Sequence, residues 1–217
     1  MNIEQARLNM VKQQIKAWNV LNEHVLDVIF RTPRENFVPP KYKQLAFADL
    51  FIPISDGETM MLPQQEAKIL EALNIQPYEK ALEIGTGTGY MTALIAQQAH
   101  TVVSVDIDPQ FLTPAAEKLA ALGISNATLT TGNAALGWAH EAPYDVIAIT
   151  GSLPFLPEVF REQIAVNGRI FAIIGQGHAM AATLLTRCSN TEWEEVRLFE
   201  TELSPLHEAL QHEQFHF

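Results

Sequence analysis

The chain has 217 residues, 47% of them hydrophobic and 18% charged, which suits one large domain with a sizeable core. Its formal net charge is −11, and residues 1–56 hold 7 of the 14 Lys/Arg but only 6 of the 25 Asp/Glu. The remainder is strongly acidic, repels phosphate backbones and excludes a general nucleic-acid binder.

No apolar run approaches the ~20 residues needed to span a bilayer. The opening MNIEQARLNMVKQQ is polar and lacks the apolar core of a secretory signal. Cys188 is the single cysteine, so no internal disulfide forms, and a reducing, cytoplasmic location is expected. A buried, inert thiol is expected.

Residues 1–50 read as helical. Val11, Ile15 and Trp18 fall at helical spacing, and Val25, Val28 and Ile29 form a second short amphipathic face. Thr32-Pro33 and Pro39-Pro40 break the pattern around ENFV, and Lys41 and Lys43 read as two solvated lysines. A strand-like run at Phe51–Ile54 leads into DGETMMLPQQ, residues 56–65, and then into a helix at Glu66–Leu73. From there strands and helices alternate. Strands are predicted at Ala81–Ile84, Thr101–Val105, Ala127–Thr130, Val146–Thr150 and Gly168–Ile174. Helices are predicted at Tyr90–Gln98, Pro109–Leu122 and Pro157–Gln163. Such alternation implies parallel βαβ units with helices on both faces. Ala179–Arg187 and Glu194–Glu202, joined by the polar turn Ser189–Thr191, predict an antiparallel hairpin at one edge.

ALEIGTGTGY (residues 81–90) joins the first strand of this series to its helix. Gly85, Gly87 and Gly89 allow a tight turn and a close approach to a ligand at a helix N-terminus. The pattern is not the dinucleotide G-x-G-x-x-G, because Tyr90 occupies the third glycine's place. Glu83 stands where a carboxylate can meet a cationic amino-acid group. Asp106 ends the next strand at the distance where a carboxylate grips a ribose diol. Phosphate would gain nothing from Glu83. A ligand with a ribose and an ammonium but no phosphate is S-adenosylmethionine.

With these residues in place the sequence resembles the class I S-adenosylmethionine-dependent methyltransferases and, more narrowly, the protein-L-isoaspartate O-methyltransferase family. The resemblance runs through MVKQQI (10–15), TPRENFVP (32–39), ADLFIPI (48–54), GETMMLP (57–63), LEIGTGTGY (82–90), GNAALGW (132–138), APYDVIAIT (142–150) and LSPL (203–206). It implies a single domain, residues 1–217, with a doubly wound, mostly parallel Rossmann-like α/β sheet. Residues 1–65 form its helical cap and acceptor loop, and residues 66–217 its cofactor-binding core. It implies cofactor contacts from Glu83, Gly85, Thr86, Gly87, Thr88, Gly89, Asp106, Ile107, Gly132, Asn133 and Ala134, with Leu62 covering the ligand. No metal is implied.

The family methylates the abnormal carboxylate of L-isoaspartyl residues in damaged proteins. Its members typically read G-Q-T-I-S-x-P at the acceptor loop, and the serine hydroxyl belongs to the acceptor site. Here Glu58 replaces the glutamine and Met61 the serine, so Glu58, Thr59 and Met61 are the acceptor-side candidates. Met60 suits either a cofactor-covering or a core role. Gly132-Asn133-Ala134 stands where Gly-Asp-Gly is usual, and an asparagine carbonyl can still accept from the adenine amino group. A carboxylate acceptor is repelled by Glu58, whereas for a neutral hydroxyl, amine or enol Glu58 could act as general base. Three readings stay open: a protein or peptide substrate, a small-molecule acceptor, or cofactor binding without turnover. The tail holds His207, His212 and His216; His212-x-x-x-His216 has a metal-ligand spacing but no third ligand. His207 follows LSPL and is a candidate for ligand contact.

Overall fold

The computed structural model describes residues 2–211, so His212 and His216 lie outside the described residues. Asn2 caps the first helix, α1 (Ile3–Asn9), by accepting from the Gln5 amide at 3.1 Å. The chain then relaxes into a π-helical stretch, Met10–Ile15, and a 3-10 turn, Lys16–Trp18. This corrects one expectation. Val11 and Ile15 are buried, but Trp18 is 40% exposed and meets Phe199 edge-on. The wider π turn shifts the angular phase, so position 18 leaves the apolar face. Asn22 caps α2 (Glu23–Arg31), which buries Val25, Leu26, Val28 and Ile29. Lys41 and Lys43 are exposed, as expected.

Two short strands, β1 (Ile52–Pro53) and β2 (Thr59–Met60), pair antiparallel and pinch off the loop between them. Then follow α3 (Pro63–Leu73), β3 (Lys80–Ile84), α4 (Tyr90–Ala96), β4 (Thr101–Asp106), α5 (Leu112–Ala121) and β5 (Ala127–Thr131). The chain continues through β6 (Tyr144–Leu153), α6 (Glu158–Gln163), β7 (Ile164–Gln176), β8 (Ala179–Arg187) and β9 (Trp193–Glu200).

The main sheet has seven strands in the order β5-β4-β3-β6-β7-β8-β9. The first four contacts are parallel, while β8 and β9 add antiparallel. This is the doubly wound sheet with an antiparallel edge that the alternation predicts. Both faces of its centre are covered, and the period of two along β6 shows it. Val146 and Ala148 join a cluster with Met10, Val25, Ile29, Ile69 and Leu94, whereas Ile147 and Ile149 join one with Phe160, Ile170 and Leu185. Residues of the N-terminal helices thus share a core with the sheet.

Tyr144 is fully buried and Trp138 half-buried. Cys188 is exposed at the β8–β9 turn, contrary to the buried thiol expected, because the hairpin stands at the sheet edge. Among the described residues no helix is long and apolar enough to cross a membrane.

Candidate active site

Strand order reverses beside β3: the chain winds outward through β4 and β5, then returns to β6 on the other side. Open α/β sheets leave a crevice at that point, outside the carboxyl ends of the strands. A cleft lies there, bordered by Ile84, Val105 and Thr150 at the ends of β3, β4 and β6.

The glycine loop forms one wall. Thr150 Oγ1 donates to the main-chain oxygens of Ile84 and Gly85 at 2.8 and 2.9 Å. A Cβ on Gly85 would lie 2.5 Å from that hydroxyl, so the loop closes on β6 only with glycine there. Gly87 has φ +47°, and a Cβ would come within 3.2 Å of Ile54 Cδ1 on the facing wall. The backbone amide of Gly87 donates to Asp106 Oδ2 at 2.8 Å, and that of Asp108 to Oδ1 at 3.0 Å. Burial raises the Asp106 carboxyl above the usual range, while these two amides oppose the shift. Each oxygen keeps a lone pair for a ligand.

Gly132, Asn133 and Ala134 line the far end. Asn133 Oδ1 accepts from the Ala135 amide at 2.9 Å, and its Nδ2 donates to Glu208 at 2.7 Å.

The end of the β1–β2 loop, β2 and the residue after it form the opposite wall, with Glu58, Thr59, Met60 and Met61 on the cleft. Met60 is 5% exposed, belongs to the core and also lines the cleft, where its sulfur lies 3.9 Å from Thr88 Oγ1. Glu58 is held by Ser55 Oγ at 2.9 Å and by His207 Nε2 at 2.8 Å.

Below this wall sits Arg34, fully buried. Its guanidinium pairs with Glu66, donates to the main-chain oxygens of Ala46 at 2.9 Å and Met61 at 2.6 Å, and stacks 5.0 Å from the Tyr90 ring centroid. A fork of five donors suits a site that must fix a carboxylate and two carbonyls together.

The segment Leu203–His207 also lines the cleft. Ser152 anchors it, its hydroxyl donating to Leu203 O and its amide to Ser204 O, both at 2.9 Å. Ser204 Oγ then reaches Gly57 O at 2.7 Å.

Most of the predicted residues meet at this cleft: Glu58, Thr59, Met61, Gly85, Thr86, Gly87, Thr88, Asp106, Ile107, Gly132, Asn133 and Ala134. Three do not line it. Gly89 backs onto Ala115 at the start of α4, and Leu62 is the residue before α3. Glu83 is turned inward and fully buried, accepting from Thr92 and, at 2.7 Å, from Ser104. Burial drives its carboxyl up to about 8, and the residue does not border the cleft where a ligand ammonium would lie. The alternation of strand side chains explains this: Glu83 points toward α4, one residue short of the strand end.

Glu66, Tyr90, Thr150 and Ser204 also line the cleft and Arg34 supports it, although no sequence motif singles them out as site residues. Arg34 carried a signal, a lone cation inside the proline-bounded stretch TPRENFVP. The others act through contacts between distant segments, which no local pattern displays.

Among the described lining residues the charged groups are Glu58, Glu66 and Asp106, with His207 the only basic side chain; no lysine or arginine borders the cleft. This donor set disfavours a phosphate and fits a cationic ligand bearing a ribose diol.

The family model for protein-L-isoaspartate(D-aspartate) O-methyltransferase matches residues 5–210. Protein-L-isoaspartate O-methyltransferase 1 of Rhodopseudomonas palustris is 37% identical over 191 residues, which cover 88% of this chain and 77% of that protein. The protein-L-isoaspartate O-methyltransferase of Syntrophus aciditrophicus is 36% identical over 186 residues, covering 86% and 85%. A solved protein-L-isoaspartate O-methyltransferase superposes with TM-score 0.75 at 25% identity, over 92% of this chain and 65% of that one. A Plasmodium falciparum protein solved with S-adenosyl-L-homocysteine shares the fold, with TM-score 0.79 at 19% identity over 96% and 99% of the two chains. The chain belongs to the protein-L-isoaspartate O-methyltransferase family.

Proposed function

We propose that the protein transfers a methyl group from S-adenosylmethionine to the free α-carboxylate of an L-isoaspartyl residue in a protein or peptide. The observation that carries this reading is the cleft itself, a crevice at the end of β3 in a chain of this family, lined by carboxylates and, among the described residues, by no lysine or arginine. S-adenosylmethionine supplies an electrophilic methyl on a sulfonium; the acceptor oxygen bonds to it as the carbon–sulfur bond breaks, leaving the electron pair on sulfur and giving a methyl ester and S-adenosylhomocysteine.

The chain's own residues bind and position. Asp106 would hold the ribose diol, the Gly85–Thr88 backbone the amino-acid end, and Asn133 the adenine edge. Met60 and Met61, 5% and 6% exposed, exclude water on the facing wall. The acceptor carboxylate is ionised already at neutral pH, with an ordinary value of about 4, so no general base is needed. Alignment of the acceptor oxygen with the methyl then supplies most of the rate.

The Glu58–His207 contact supports a second reading, in which this pair takes the proton from a neutral small-molecule acceptor. Radiolabelled S-adenosylmethionine tests both readings, offered with an isoaspartyl peptide, its aspartyl counterpart and a cell extract. Base-labile label on the isoaspartyl peptide alone supports the first. Label confined to small molecules of the extract supports the second.

A further inference from the structure

The charges around the acceptor wall are unequal in their compensation. Glu66 is neutralised by Arg34, which is itself fully engaged. Asp106 accepts two backbone amides on the glycine-loop side. Glu58 faces the same cleft from the opposite wall, and no lysine or arginine is among the described residues lining it. Its side chain is 25% exposed, and its two contacts, Ser55 and His207, each occupy one lone pair and leave another. The His207 side chain, whose Nε2 lies 2.8 Å from Glu58 Oε1, is itself 60% exposed, so solvent screens its effect on the carboxylate.

An isoaspartyl residue inside a chain brings one negative charge to this wall and nothing to offset it. At a peptide N-terminus the same residue is a zwitterion, because its α-ammonium and α-carboxylate share one carbon. The two groups therefore arrive at the same end of the cleft together. We infer that the preferred acceptor is an N-terminal isoaspartyl residue, whose free α-ammonium is met by Glu58 while its α-carboxylate takes the methyl group. This assignment rests on the isoaspartyl reading above. It makes Glu58 a specificity-determining residue: its charge attracts the zwitterionic acceptor and repels the anionic one. The transfer balances as before, with the new carbon–oxygen bond formed as the carbon–sulfur bond breaks and with the ammonium keeping its protons.

The test uses an N-terminal isoaspartyl tripeptide, its N-acetylated form and the wild-type and Glu58→Gln proteins. Glutamine preserves an acceptor for Ser55, so folding is retained and is verified by thermal unfolding. Two quantities are read: kcat/KM for methylation, and peptide Kd by calorimetry with S-adenosylhomocysteine present. The wild type is expected to favour the free-amine peptide by roughly three- to tenfold, the scale of a partly exposed ion pair, in Kd and KM rather than kcat. In Glu58→Gln the ratio is expected to fall toward one. Equal use of the two peptides by the wild type, or an undiminished preference in Glu58→Gln, overturns the inference and leaves isoaspartyl methylation standing. If neither peptide is methylated although S-adenosylhomocysteine binds, the isoaspartyl reading fails and takes the inference with it.

Discussion

Arg34 Nη2 donates to the main-chain oxygen of Met61 at 2.6 Å, so a buried cation from the segment after α2 fixes the backbone just past β2. The same guanidinium pairs with Glu66 at the base of the cleft. The segment after α2, the residue following β2 and α3 are thereby joined through one buried group. Removing one partner of such a pair strands the other charge in the interior. Arg34→Met is expected to destabilise the protein by about 3–5 kcal/mol. The double variant Arg34→Met/Glu66→Leu should recover much of that loss, since it removes both charges. Urea unfolding of the three proteins checks this, and a double variant no more stable than the single one would contradict it.

Asp106 is expected to dominate cofactor affinity. Asp106→Ala removes charge-assisted bonds worth roughly 1.5–3 kcal/mol each. It also frees the amides of Gly87 and Asp108, which lose their acceptors. Calorimetry with S-adenosylhomocysteine should show a drop of at least tenfold, about 1.4 kcal/mol. Unchanged affinity would show that the carboxylate only shapes the loop.

Gly87→Val probes the approach of backbone to ligand. A β-branched residue at φ +47° is strained, by roughly 1–2 kcal/mol, and its Cβ presses on Ile54 in the cleft. Loss of cofactor binding with an unchanged circular dichroism spectrum is the expected result. Wild-type affinity would mean that the loop has no close contact with ligand.

Glu83 gives the stability a pH dependence. Its carboxyl is raised from 4.5 to about 8 in the folded protein, chiefly by burial. Between those values the native state binds more proton than the unfolded chain. Its contribution is therefore fully present below about 4.5 and is lost as pH rises through about 8. Glu83→Gln should flatten that slope. Urea unfolding at pH 5 and pH 8 should show a larger fall for the wild type than for the variant, by a few kcal/mol. Equal falls in both would place the titration elsewhere.

Periodicity revealed the fold and composition revealed less of the site. Strands such as Thr101–Val105 and the hairpin at Ala179–Arg187 emerged because burial on both faces makes short apolar runs, and because the turn Ser189–Thr191 is polar. Trp18 leaves the face its spacing predicts because a π segment has no signature in an apolar pattern. At the site, Asp106 and the glycine loop were legible since they sit at strand ends, where position along the chain fixes position in space. Glu83 had the right residue type but faces inward, a matter of one residue in strand register. Arg34, Thr150 and Ser204 depend on contacts across 12 to 147 positions of sequence, and only the fold brings these together.

The acceptor wall carries the last prediction. Met61 is 6% exposed on the cleft, where the family usually places a serine, and Glu58 stands beside it instead of glutamine. A thioether donates no hydrogen bond to an incoming carboxylate, and Glu58 repels it. Glu58→Gln/Met61→Ser supplies a hydroxyl and removes the like charge. One hydrogen bond to a charged group is worth about 1.5–3 kcal/mol, so kcat/KM for an N-acetylated isoaspartyl peptide should rise roughly ten- to hundredfold. Shortening Met61 also empties part of a packed wall, so the melting temperature should fall. Met61→Ser alone separates the effects, because it adds the donor while Glu58 still repels, and its gain should be smaller than that of the pair. If neither variant exceeds the wild type on this peptide, the hydroxyl at position 61 does not face the acceptor, and the wall must be read from Thr59 and His207 instead.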